Sequence, residues 1–163
     1  MALELQQGRP LSQRGYDKLK AELDVYVNKD QPRIREDIAK FREDGDLKEN
    51  APYHAAREEL AMLEAKIEEL ETILATGFIV DMKRLPKDRV VFGTRVVVEN
   101  QSTNKEEIYH LVGDGETNPD DGWILTSSPL GQAFMVKKAG EEAIAELPGG
   151  DVTYIIKEIR FID

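Results

Sequence analysis

Between residues 53 and 74 the apolar side chains recur at alternating steps of three and four residues without a break. The positions are Tyr53, Ala56, Leu60, Leu63, Ile67, Leu70 and Leu74. This spacing is that of a coiled-coil seam, and it predicts a long helix. A seam this narrow favours pairing with one other helix over burial against a broad core. Pro52 suits the first turn of such a helix, and Gly77 suits its end.

A second helix is predicted upstream, with Ser12 as its N-cap and Gly45 as its end. Its apolar positions form two groups, Leu19, Leu23 and Tyr26, then Ile34, Ile38 and Phe41. The step from Tyr26 to Ile34 is one residue too long for the seam, and Pro32 lies within it. We therefore expect a kink or a local unwinding there.

The two helices are joined by a short segment, which predicts an antiparallel hairpin. At about 1.5 Å per residue, a helix of roughly 25 residues is about 37 Å long. The hairpin can project from the rest of the chain or lie flat on a globular body. The narrow seam favours a projecting pair, with the segment 44–50 as its tip.

The second half of the chain reads as β-structure. Strands are predicted at 90–92, 95–99, 107–112, 123–125 and 152–156, with a helical turn or two at 130–136 and a hairpin turn at 148–150. The fold class is therefore α+β. We place an N-terminal helical hairpin at 1–80 and a small antiparallel β domain at 81–163, with 81–89 as the linker.

Composition narrows the function classes. The net charge of -10 argues against a free-standing duplex DNA binder, so no sequence-specific DNA binding is expected of the protein alone. The chain has no cysteine, which excludes a thiol nucleophile or a disulfide framework. No apolar run is long enough for a membrane span. A cytoplasmic protein without a membrane partner is the expectation.

Two carboxylates, Asp46 and Glu49, lie in the predicted tip. They fit a capping box, with Asp46 as the N-cap, but Pro52 places the helix start near Asn50 or Ala51 and so disfavours that reading. They also fit hard-oxygen metal chemistry. Because Mg²⁺ needs more ligands than two carboxylates, such a site would require a partner that supplies the others.

The tip segment Asp-Leu-Lys-Glu-Asn-Ala-Pro-Tyr-His-Ala-Ala-Arg-Glu-Glu, residues 46–59, resembles the signature of the bacterial Gre transcript cleavage factors. The resemblance extends over nearly the whole chain. Further matching segments are 11–23, 91–96, 127–131 and 147–150.

The resemblance implies a coiled-coil hairpin followed by an FKBP-like β domain that docks on bacterial RNA polymerase. The hairpin would enter the secondary channel of the polymerase and stimulate Mg²⁺-dependent cleavage of backtracked nascent RNA. Asp46 and Glu49 would act within the polymerase active centre, where they help to hold a shared Mg²⁺ near the RNA 3′ end. The protein would bind no cofactor alone and would not be an enzyme by itself.

The resemblance also assigns supporting roles. Residues supporting the tip would be Leu47, Lys48, Asn50, Tyr53 and Arg57, and the docking loop would comprise Ser127, Ser128, Pro129 and Leu130. Basic residues that would face the RNA are Lys29, Arg33, Arg35, Lys40 and Arg42. From the residues alone, each of these assignments has a competing interpretation. The basic residues can form a solvated face, Tyr53 can pack in the core, and Arg57 can form a salt bridge on the helix.

Four positions depart from the family pattern. Asp30 and Gln31 stand where a basic pair often precedes the proline, Gln132 stands where the family often has Arg, and Val136 where it often has Gly. The rival functions are a channel-binding regulator that does not stimulate cleavage and a chaperone or prolyl-isomerase-like module. The acidic pair favours a cleavage factor over both.

Overall fold

A computed structural model describes residues 8–45 and 48–161 of the chain. It divides into two compact units, one of residues 17–76 and the other of the described residues in 1–16 and 77–163. The domain boundary at 80/81, which is inferred from the periodicity of the sequence, stays a prediction. Among the described residues, no helix combines the length and apolarity needed to cross a membrane.

The helical unit is an antiparallel hairpin. Helix α1 (Gln13–Val25) runs through a π-helical turn (Tyr26–Asp30) into α2 (Gln31–Glu43), and α3 (Ala51–Thr76) returns beside α2. The predicted start is confirmed, because the Ser12 hydroxyl accepts a hydrogen bond from the Gly15 N–H at 2.9 Å. The predicted ends near Gly45 and Gly77 and the start of α3 at Ala51 are also confirmed.

The π-helical turn is the local unwinding expected before Pro32. Gln31 N–H bonds to the Tyr26 carbonyl, five residues back, so this turn holds one residue more than an α-helical turn. Proline has no N–H to donate, and its ring would clash with the carbonyl four residues earlier in a regular helix. The extra residue also absorbs the long step in the seam, so Ile34 is buried in the hairpin.

The seam of α3 is buried as predicted over most of its length. Tyr53, Ala56, Ile67 and Leu70 are buried, while Leu60, Leu63 and Leu74 are half-buried. In the last turns Ile73 is the buried residue beside Leu74. In the final turns of the helix, the buried face is therefore wider than the strict seam.

Within its described residues, the β unit contains two sheets. Strands β1 (Arg9–Leu11) and β2 (Gly77–Ile79) pair in parallel. The main sheet holds β3 (Arg95–Asn100), β4 (Lys105–Val112), β5 (Trp123–Leu125), β6 (Glu142–Leu147) and β7 (Gly150–Arg160) in the order β5-β4-β3-β7-β6. Short 3₁₀ turns occupy Met82–Arg84 and Pro119–Asp121.

One short helix completes this unit. Helix α4 (Pro129–Phe134) places the ring of Phe134 in the core, with its centroid 5.3 Å from that of Tyr154 and 5.5 Å from that of Tyr109. The other buried members of this core come mainly from the strands: Val90, Val96, Val98, Leu111, Ala143, Ala145, Tyr154 and Ile156. The α+β class and the plan of a helical hairpin with a β domain are thus confirmed.

Two details of the strand predictions are wrong. Residues 90–92 are buried but form no strand, because Gly93 turns the backbone at φ +86° and the Thr94 hydroxyl donates to the Val91 carbonyl. The sheet is also not wholly antiparallel. Strand β5 pairs with β4 in parallel, while the pairs β3–β4, β3–β7 and β6–β7 are antiparallel.

Candidate functional site

The hairpin tip carries the residues that the sequence singled out. Helix α2 ends where the Asp44 N–H bonds to the Phe41 carbonyl at 3.2 Å, and Gly45 follows with φ +148°. Lys48 and Glu49 have exposed side chains. Asp46 and Leu47 lie outside the described residues, so their roles stay predictions.

Asn50 joins the two helices at the tip. Its side-chain Oδ1 accepts a hydrogen bond from the Tyr53 N–H at 3.2 Å, which makes Asn50 the N-cap of α3. Its Nδ2 donates to the Phe41 carbonyl at 2.6 Å, near the end of α2. The capping-box interpretation, with Asp46 as the N-cap, is therefore wrong. An asparagine two residues before a proline is a cap signal that sequence reasoning could have used.

Tyr53 lies next to this cap and is only 4% exposed, so its predicted core packing is confirmed. The guanidinium carbon atoms of Arg42 and Arg57 lie 5.8 Å and 5.6 Å from the centroid of its ring, within cation–π range. Arg42 also donates to the Tyr53 hydroxyl at 3.4 Å. This hydrogen bond is the main reason that the pKa of the Tyr53 phenol is lowered.

Arg57 therefore stacks on an aromatic ring. In the part of the chain that the structure describes, it forms no ion pair, so the salt-bridge alternative finds no support there. Two guanidinium groups flank one ring within the first turns from the tip. They place two positive charges around Tyr53, three residues after the residue that caps α3.

The other candidate basic residues, in α2 and in the π-helical turn before it, divide into two groups. Arg33 pairs with Asp37 at 3.6 Å and with Glu59 of α3 at 3.2 Å, while Arg35 lies 3.9 Å from Glu64. All of these side chains are exposed, so the pairs contribute little to stability. Lys29 and Lys40 are exposed as well, and no ion pair of either is found among residues 8–45 and 48–161.

The donor chemistry described at the tip fits a metal ion whose other ligands come from a partner. Among the described residues, no group of three or more His, Cys, Asp or Glu side chains could hold a metal ion. Glu49 supplies a solvent-facing carboxylate, the hard oxygen donor that Mg²⁺ prefers, whereas the ammonium and guanidinium groups of the hairpin do not coordinate metals. A magnesium ion at this tip would need further oxygen ligands from another molecule.

The proposed docking loop is held by hydrogen bonds at the start of α4. The Ser128 hydroxyl accepts from the Gly131 N–H at 3.1 Å and donates to the Leu125 carbonyl at 2.7 Å. Leu130 packs against the core. Ser128 and Leu130 thus hold the conformation of the loop. Ser127 and Pro129 are exposed, so they are the residues of the loop that a partner could contact.

A shallow cavity of about 300 Å³ lies beside this loop, between α4 and the edge strand β6. Ser127 and Pro129 line it together with Gln132, Ala133, Ile144 and Glu146. Ile144 is 56% exposed, a large apolar side chain between two exposed glutamates of β6. Sequence reasoning missed it, although the alternation of residues 142–146 places Ile144 on the face of these glutamates.

Comparison with known proteins gives matches over both halves. A family model described as "Transcription elongation factor, N-terminal" matches residues 9–77, and one described as "Transcription elongation factor, GreA/GreB, C-term" matches residues 85–161. The chain is 44% identical over 154 residues to transcription elongation factor GreA of Helicobacter hepaticus, which covers 94% of each protein. It is 44% identical over 153 residues to that of Psychrobacter arcticus, covering 93% of this chain and 97% of the relative.

Solved structures with a similar chain include GreA factor homolog 1 (Gfh1) of Thermus thermophilus. That chain is 22% identical with a TM-score of 0.45, and the match covers 94% of this chain and 99% of the other.

Proposed function

Because this chain belongs to the GreA/GreB family of transcription elongation factors, we propose that it stimulates bacterial RNA polymerase to cleave backtracked nascent RNA. Asp46 and Glu49 would enter the secondary channel and add their carboxylates to a magnesium site in the polymerase active centre. The protein would contribute ligands to that reaction and would not hydrolyse RNA alone.

The observation that carries this proposal is the position of Glu49. Its exposed carboxylate lies in the turn of the hairpin, immediately before the residue that caps α3. Helix α3 holds 26 residues, which corresponds to about 39 Å at roughly 1.5 Å per residue. A carboxylate at this end of a long, narrow helical pair can reach into a channel that would exclude a globular domain.

The chemistry required of these residues is limited. When bound, a second Mg²⁺ lowers the pKa of a coordinated water and so supplies the nucleophile for phosphodiester hydrolysis. Asp46 and Glu49 would hold that cation, and the Asn50 cap would keep Glu49 at the base of the turn. Arg42 and Arg57 would remain stacked on Tyr53, which keeps their charge close to the RNA phosphates without competing for the metal.

The β domain would hold the factor on the polymerase through the loop of Ser127, Ser128, Pro129 and Leu130. The β domain would thus provide binding to the polymerase, and the hairpin tip would provide stimulation of cleavage. A substitution at the tip should change cleavage and leave affinity for the polymerase intact, whereas a substitution in the loop should lower affinity.

The test uses a stalled, backtracked elongation complex with Mg²⁺ and measures release of short 3′ RNA fragments. We expect the wild-type protein to stimulate release, and Asp46→Ala or Glu49→Ala to reduce it by roughly 10²-fold or more, the usual cost of removing a group that stabilises a transition state. Asp44→Ala is the matched control, because Asp44 is an exposed acid of the same turn outside the motif pair. It should cleave like the wild type.

Binding of each variant to the polymerase is measured in parallel by competition with the labelled wild-type protein. Equal affinity with lost cleavage supports the proposal. Normal cleavage by Asp46→Ala and Glu49→Ala would refute the metal role. Suppression of the intrinsic cleavage by the wild-type protein would establish the channel-binding regulator in its place.

A further inference from the structure

We infer that Asn50 is a positioning residue that ties the last turn of α2 to the first turn of α3 and thereby fixes the place of Glu49. The inference rests on the proposed function, since positioning matters only if the tip carboxylates act in a reaction centre. It assigns to one side chain a task beyond helix capping.

Both halves of the Asn50 amide are in use. The first turn of a helix leaves N–H groups without intrahelical partners, and the last turn leaves carbonyl groups without them. The Asn50 Oδ1 satisfies the Tyr53 N–H of α3, and its Nδ2 satisfies the Phe41 carbonyl of α2. The side chain is half-buried between the two helix ends.

Asparagine fits this task because it carries an acceptor and a donor on the same planar group. A serine at this position would cap α3 as well, since its hydroxyl also accepts from the first turn. Its hydroxyl ends one bond short of the position of the Asn50 Nδ2, so it does not reach the Phe41 carbonyl while it caps α3. Serine therefore separates the capping role of Asn50 from its bridging role.

The bridge closes the loop that carries the acids. The Phe41 carbonyl oxygen accepts hydrogen bonds from two residues, from the Asn50 side chain and from the Asp44 N–H. These two residues lie at the two ends of the loop, so both ends are held at one atom. Glu49 is one peptide bond from Asn50. Loss of the bridge would let the loop ends move apart while α3 stays capped, and small displacements of a reacting group are costly to catalysis.

A second contact also holds the two helices together, so loss of the Asn50 bridge should affect only the tip. Arg42 of α2 reaches the Tyr53 hydroxyl of α3 at 3.4 Å, and the seam continues below it. Neither contact involves the Asn50 side chain. The hairpin should therefore remain folded without the bridge, while Glu49 is no longer held in place.

The experiment compares Asn50→Ser, which keeps the cap, with Asn50→Ala, which loses both contacts, in the backtracked-complex cleavage assay. Cleavage is measured across a Mg²⁺ titration at saturating factor. We expect Asn50→Ser to require roughly five- to tenfold more Mg²⁺ for half-maximal cleavage, in line with the loss of one hydrogen bond. Its maximal cleavage should recover at high Mg²⁺, because both acids are still present.

Asp44→Ser is the matched control, since it introduces the same residue at an exposed position of the same turn. Its Mg²⁺ dependence should equal that of the wild type. Helix content by circular dichroism and competition for the polymerase should be unchanged in Asn50→Ser. A shifted Mg²⁺ requirement with these two properties intact is a result that loss of folding would not produce.

The outcomes separate the two proposals. If Asp46→Ala abolishes cleavage but Asn50→Ser matches the wild type throughout the titration, Asn50 is only a helix cap and the positioning role is refuted. If Asn50→Ala alone is impaired, the effect belongs to capping, which also refutes the bridge. If Asp46→Ala and Glu49→Ala both cleave normally, the proposed function itself fails, independently of Asn50.

Discussion

Val136 holds a backbone conformation that suits glycine. Its φ is +63°, and a β-branched residue is strained in that left-handed region. The conformation is enforced by two backbone hydrogen bonds of 2.8 Å, from the Val136 N–H to the Val90 carbonyl and from the Val90 N–H to the Lys137 carbonyl. Replacement of Val136 by Gly should therefore stabilise the β domain.

The magnitude follows from three contributions. Relief of the strain at a non-glycine residue with positive φ yields about 1–3 kcal/mol. The greater freedom of glycine in the unfolded chain costs about 0.5–1 kcal/mol. The valine side chain is 64% exposed, so the loss of its burial costs only about 0.5 kcal/mol. The sum runs from about −0.5 to 2 kcal/mol, and its midpoint favours Val136→Gly by about 0.75 kcal/mol.

The assay is urea unfolding followed by the fluorescence of Trp123, the single tryptophan of the chain, which lies in β5 of the same unit. Val136→Ala is the control, because alanine removes the same branched side chain but keeps the cost of a positive φ. The glycine variant should be more stable than the alanine variant by about 1 kcal/mol. If alanine equals or exceeds glycine in stability, the backbone at 136 does not hold a left-handed conformation in solution and the reasoning fails.

Two further predictions concern the β domain. Gly131→Ala should destabilise it by about 2–3 kcal/mol in the same unfolding assay, because a Cβ would lie 2.1 Å from the Leu125 carbonyl oxygen; an unchanged midpoint would contradict this packing. Burial, aided by the positive charge of Arg95, lowers the pKa of His110, so the folded protein binds this proton less readily than the unfolded chain does. Stability should be full above the unfolded pKa of about 6.5 and fall as the pH drops through the lower folded value, and His110→Gln should flatten the pH dependence between about 7.5 and 5.5.

The helices could be predicted because their signals are local. Ser12, Gly45 and Gly77 mark the ends through caps and chain breaks, and the seam marks the buried face. The position of the unwound turn could also be predicted, since Pro32 and the long step in the seam coincide. That the turn is π-helical could not be predicted, because the sequence does not specify which turn type accommodates the extra residue.

The contacts that shape the candidate sites were harder to predict because their partners are distant in sequence. The Asn50 bridge depends on a carbonyl nine residues earlier, at the end of another helix. The parallel pairing of β5 depends on which edge of the sheet its short strand reaches. The buried segment 90–92 has the composition of a strand, but the turn at Gly93 directs it elsewhere. In each case, contacts between residues distant in sequence select one of several local structures that the sequence allows equally well.

The π-helical turn determines how the helical hairpin accommodates an additional residue. A residue inserted into a regular helix rotates everything beyond it by about 100°, which would turn the buried face of α2 toward water. Here the additional residue is taken up within Tyr26–Asp30, and Ile34 still meets α3. The turn thereby keeps the residues of α2 in phase with α3, although the chain that leads to them is one residue longer than a regular helix would allow.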